Sequence, residues 1–223
     1  MAASGKLLLA VATNNDSRQY YTSALVCPTP PPGSADPLGT EGGAEWAKVI
    51  SQLATSAAGY PGMTVAGSND IEPNFAGCVS QASDWITALL KDTAGPYVFI
   101  GSADGCPTTL GSTKACSAGW TQQQLYNLAY GFGPTRSKPM PQIYTPGTAV
   151  KWANISKAGG SASIAFAGVL TQQVACAQAG CPELPGGTTL SGATAWNYLS
   201  NQLTVSTRRR TSAGAYTTDL RVN

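Results

Sequence analysis

Short apolar runs alternate with helix-period segments along most of this chain, and that alternation constrains its fold more than any other feature. "KLLLAVATNN", "MTVAGSNDIE", "PYVFIGSADG", "MPQIYT" and "SIAFAGVLTQQ" read as strands. "AEWAKVISQLATSA" sets Trp46, Val49, Ile50 and Leu53 at helical spacing. "FAGCVSQASDWITALLKDT" does the same with Val79, Ala82, Ile86, Leu89 and Leu90. "TQQQLYNLAYGF", with Thr121 as its N-cap, "GTAVKWANIS" and "SGATAWNYLSNQLTV" complete the helices. Trp46, Trp85, Trp152 and Trp196 fall inside these helical patterns and read as core.

Strands that alternate with helices imply a parallel sheet with helical crossovers, its apolar strands covered on their faces. Two architectures fit, an open doubly wound sheet and a (β/α) barrel. Every strand run ends in polar residues: Asn14-Asn15, Asn69-Asp70, Ser102 with Asp104, Tyr144, and Gln172-Gln173. A barrel gathers such groups from many strands into one mouth, so the pattern favours the barrel. Eight units need about 250 residues, whereas this chain has 223 and shows five. The expected fold is therefore an incomplete α/β barrel-like domain of about five βα units, stabilised by disulfides and spanning 1–206. A flexible basic tail follows over 207–223, with Arg208–Arg210 as its charge cluster.

Composition removes several functions. Histidine is absent, which excludes Ser-His and Cys-His nucleophiles and His-ligated zinc. Only 11% of residues are charged and the net charge is +2, so the body has no basic stripe for nucleic acid. No apolar run is long enough for a membrane span. "GKLLLAVATNN" is at the lower limit for a signal peptide and reads better as a buried strand.

Cys27, Cys78, Cys106, Cys116, Cys176 and Cys181 form an even set with no C-x-x-C, which points to disulfides rather than metal. Two pairs are local, Cys106–Cys116 and Cys176–Cys181, which leaves Cys27–Cys78 by elimination. Disulfides imply an exported, extracellular protein. Its natural signal is then expected to be missing from this chain.

Asp70 and Glu72 in "GSNDIEPNF" are the candidate chemistry. On a strand, i and i+2 point to one face about 7 Å apart, and Pro73 ends the strand by removing a donor. Carboxyl pairs roughly 5–9 Å apart carry out glycoside hydrolysis. One must hold a proton, here Glu72, while the other, Asp70, stays ionised. Asp104, Trp120, Gln142 and Tyr144 are the candidate substrate-binding residues, with Tyr144 and Trp120 as stacking surfaces. Against this, a strand-end Asp often caps the next helix, a Glu can pair with Lys or Arg, and Asp104-Gly105 is an ordinary turn signal.

At "NDIEPNF", "GSADGCP", "GWTQQQLYNLAYG", "PQIYTPGTAVKWANIS" and "GVLTQQVACAQAGC" the chain resembles a family of secreted bacterial proteins of unassigned function. That family looks like TIM-barrel glycoside hydrolases, and the match runs over about residues 7–203. The resemblance implies catalytic roles for Asp70 and Glu72 and a weaker one for Tyr144. Members have a longer N-terminal part, which implies that this chain is a fragment or a shortened relative. Barrel muramidases also carry a first-strand acid, and the only nearby Asp here is Asp16.

These readings give a glycoside-hydrolase-like protein that acts on polysaccharide or cell-wall glycan, with no cofactor and no metal. The alternative is a non-catalytic extracellular protein that binds glycan or self-assembles as a homo-oligomer, for which low charge and an exposed sheet edge speak.

Overall fold

A computed structural model describes residues 6–16, 35–75, 78–179, 190–207 and 216–219. Strand β1 (Leu7–Asn14), helix α1 (Thr40–Ala57), strand β2 (Met63–Asp70), helix α2 (Val79–Asp92) and strand β3 (Tyr97–Phe99) follow in order. The three strands form a parallel sheet in the order β1-β2-β3. Then come α3 (Gln122–Tyr126), continued by a wider π turn over Asn127–Gly131, and α4 (Pro146–Ala158). Strand β4 (Gly168–Thr171), α5 (Gln173–Ala179), α6 (Gly192–Thr207) and β5 (Tyr216–Asp219) complete the order, and β4 and β5 pair in parallel.

Helix starts follow their local chemistry. Thr121 caps α3 by accepting from Gln124 N–H, while the Gln124 side chain accepts from Thr121 N–H. Thr145 caps α4, with Pro146 at its first position. Helix α1 begins four residues before the expected Ala44, in spite of Gly42 and Gly43. A Cβ on Gly43 would lie 2.1 Å from the Trp85 carbonyl oxygen. The close approach of α1 to α2 thus outweighs glycine's poor helix propensity.

The barrel expectation is overturned. The described strands form one sheet of three and one of two, and they do not close. "MPQIYT" is not a regular strand. Lys138, Met140 and Gln142 donate to the carbonyls of Tyr97, Phe99 and Gly101 on one side. On the other side Pro139 and Pro141 have no N–H to donate, and only their carbonyls take part, accepting from Ala167 and Leu170. Residues 137–143 therefore join the two sheets through these hydrogen bonds and two isolated bridges, Tyr97 with Ser137 and Gln142 with Leu170, and not as a regular strand. Two further corrections are local. Residues 173–179, expected to be the strand's polar end and a turn, form α5. The stretch read as a tail contains β5.

The main core lies between the sheets and the helices, with Trp152, Tyr97, Phe99, Ile86 and Leu199 fully buried. Phe99 and Phe166 meet Trp152 edge to face. Trp85 is buried and Trp46 and Trp196 are partly buried against this core, as their helical spacing predicts. The opposite face of the sheet carries a small cluster of Ala66, Val98 and Met140. Arg136 ties α2 to the bridging segment. Its guanidinium donates to the Leu90 and Gly95 carbonyls and to Thr93 Oγ1 at the end of α2.

Cys106–Cys116 is a disulfide, as the spacing predicts. Cys78 and Cys176 are disulfide-bonded too, while Cys27, Cys181 and Arg208–Arg210 lie outside the described residues. Among the described residues no helix is long and apolar enough to cross a membrane.

Candidate functional site

Three short segments meet at the C-terminal ends of the parallel strands, and alternation sorts their side chains. Ile71, Ala103 and Ile143 are buried in the main core. Their neighbours Asp70 and Glu72, Ser102 and Asp104, and Gln142 and Tyr144 therefore face the other way, above the Ala66–Val98–Met140 cluster.

The centre of this constellation is the Gln142 amide. Its Nε2 donates to Asp70 Oδ1 at 2.8 Å and to Glu72 Oε1 at 2.8 Å. A primary amide has two hydrogens on that nitrogen, one for each acid. Gln142 is itself anchored, its backbone N–H donating to Gly101 O.

The Asp70–Glu72 segment is held from both sides. Strand β1 pairs with β2 up to Asn14 opposite Asp70. Beyond that rung the Asn15 side chain takes over from the backbone. Its Oδ1 accepts from Glu72 N–H at 2.9 Å and its Nδ2 donates to Glu72 O at 3.4 Å. On the far side Gly101 lies flush against the strand, where a Cβ would stand 1.9 Å from the Ile71 carbonyl oxygen. Pro73 then opens a short 3-10 turn, Pro73–Phe75, which ends the extended run.

Burial sets the electrostatics. It raises the Asp70 carboxyl from 3.8 to about 6; the hydrogen bond from Gln142 pulls the other way, and the charge of Asp104 adds to the rise. Tyr144 is pushed upward as well, first by burial and then by Asp70, Glu72 and Asp104. Its phenol therefore stays protonated, half-buried, within electrostatic reach of all three acids. Asp104 sits on the turn that its sequence predicts, with Gly105 at φ +63° and the Asp104 carbonyl accepting from Ser117 N–H.

The structure thus brings together Asp70, Glu72, Asp104, Gln142 and Tyr144. It does not bring Trp120 to them as a stacking surface. Trp120 is 4% exposed and packs in the main core. Sequence reasoning missed Asn15 and Gly101, and gave Ser102 no role. Asn15 was legible only as a polar strand end, since nothing local says that its side chain reaches a residue 57 positions away. Ser102 Oγ is buried on the site's face without a partner among the described residues. Among those residues no group of acidic or sulfur side chains is placed to hold a metal ion. Comparison with protein-family models, with characterised proteins and with solved structures finds no match.

Proposed function

We propose that the protein is an exported glycoside hydrolase that cleaves polysaccharide with Asp70 and Glu72. The observation that carries this reading is the shared Gln142 amide, which holds two carboxyl groups side by side at one half-buried sheet edge. Glycosidic cleavage needs one acid to protonate the leaving oxygen and one carboxylate to support or attack the positive sugar carbon. The sequence pattern gave the proton to Glu72. Burial argues for Asp70 instead, because a carboxyl raised to about 6 keeps its proton up to mildly acidic pH, well beyond the range of an ordinary Asp. Glu72 then takes the ionised role, and the Tyr144 phenol and Asp104 offer hydrogen bonds to sugar hydroxyls. Disulfide bonding at Cys106–Cys116, Cys78 and Cys176 supports an extracellular setting.

The test is release of reducing ends from a panel of bacterial cell-wall and plant glycans by purified protein. Release is expected from one class, and Asp70→Asn and Glu72→Gln should each abolish it. Silence across the panel, or release untouched by both substitutions, would overturn the reading.

A second reading rests on β1. Strands of parallel sheets are usually covered, yet Leu7 is 55% and Leu9 43% exposed on an uncharged strand that pairs only with β2 among the described strands. This favours self-association through the sheet edge. Sedimentation showing a monomer at all concentrations would remove it.

A further inference from the structure

We propose that Asn15 is a positioning residue for Glu72, acting as a side-chain substitute for the next rung of the β1–β2 ladder. This rests on the hydrolase reading above. The regular ladder stops at Asn14 opposite Asp70, two residue pairs short of the second acid. From there the Asn15 backbone N–H donates to Asp70 O at 3.3 Å, and its side chain grips both the N–H and the carbonyl of Glu72. One residue thus touches the backbone of both acids and sets their spacing. It is 5% exposed, so its bonds compete little with water. Without it, the chain between Asp70 and Pro73 would be held on the β3 side alone.

Asn15 touches no reacting group, so its loss should appear in turnover rather than in substrate binding. A displacement of about 1 Å in a reacting group costs on the order of a hundredfold in rate. Asn15→Leu keeps a similar volume and removes both bonds. Asn15→Asp keeps the acceptor for Glu72 N–H. In Asn15→Leu, kcat is expected to fall ten- to a hundredfold or so while KM stays within about twofold. Asn15→Asp should recover most of kcat.

Hydrogen exchange at the Glu72 amide reads the clamp without any turnover. Protection should be lost in Asn15→Leu and kept in Asn15→Asp. Unchanged protection in Asn15→Leu, or lost protection with unchanged kcat, would overturn the proposal. A parent protein that turns nothing over sinks the hydrolase reading, and the positioning role with it, even where exchange finds the clamp intact.

Discussion

Asp70 and Glu72 accept from the two hydrogens of one nitrogen, Gln142 Nε2, each at 2.8 Å. Two oxygens at that distance from a common atom stand at most twice it apart, roughly 5.6 Å. For these two oxygens that limit lies near the short carboxyl separation, about 5–5.5 Å, of retaining glycosidases. On the proposed hydrolase reading, the first product released should then keep the anomeric configuration of the substrate. Proton NMR of the fresh digest checks this, and an inverted anomer would rule out a covalent role for either acid.

The raised Asp70 pKa carries a stability consequence with a definite sign. A carboxyl that goes from 3.8 to about 6 binds its proton more tightly folded than unfolded. The native state is then favoured below about pH 4 and loses that advantage as pH rises to about 6. Asp70→Asn stays neutral and keeps an acceptor for Gln142. It should melt higher than the parent above pH 6, by at most about 3 kcal/mol, and the gap should close near pH 4. Thermal melts across that range decide it.

On the proposed hydrolase reading, proton donation by Asp70 would limit activity at its alkaline end. The rate should decline above about pH 6, where this acid ionises. Gln142 lowers the Asp70 pKa through its hydrogen bond, so Gln142→Leu should move the alkaline limb upward, by about one pH unit. Loss of the shared donor should also cut kcat, by about ten- to a hundredfold. A pH–rate profile of the variant, with its limb in the parent's place, would count against Asp70 as the acid.

Gly101 has no room for a side chain. In Gly101→Ala the new methyl would meet the Ile71 carbonyl oxygen at 1.9 Å, backbone against which no rotamer helps. Destabilisation of about 3 kcal/mol is expected from such overpacking, read by denaturant unfolding. Because Ile71 separates the two acids, residual folded protein should also be less active than the parent.

The 106–116 loop follows Asp104 and is closed by Cys106–Cys116. The Asn154 side chain further ties it through Pro107, Thr109 and Gly111. Replacing both cysteines by serine should cost about 3 kcal/mol, the loop-closure value for so short a segment. Calorimetry of the double variant tests it.

Side-chain period and capping chemistry were enough to read strands β1 to β4, helices α1 to α4 and α6, the Thr121 cap, the local disulfide and the acids at the strand ends. These are local properties, written in residues a few positions apart. Even the pairing of Asp70 with Glu72 is local, because alternate residues of an extended chain face the same way. Tertiary structure decided the rest. Whether the sheet closes depends on which edges meet, and Pro139 and Pro141 weaken the join at 137–143 without announcing it in a hydrophobicity pattern. The convergence of Gln142 on acids some 70 positions earlier, the burial of Trp120 and the grip of Asn15 on Glu72 all follow from strand register and chain packing. The Asp70 pKa shift arises chiefly from how much water its neighbours exclude, which no stretch of sequence specifies alone.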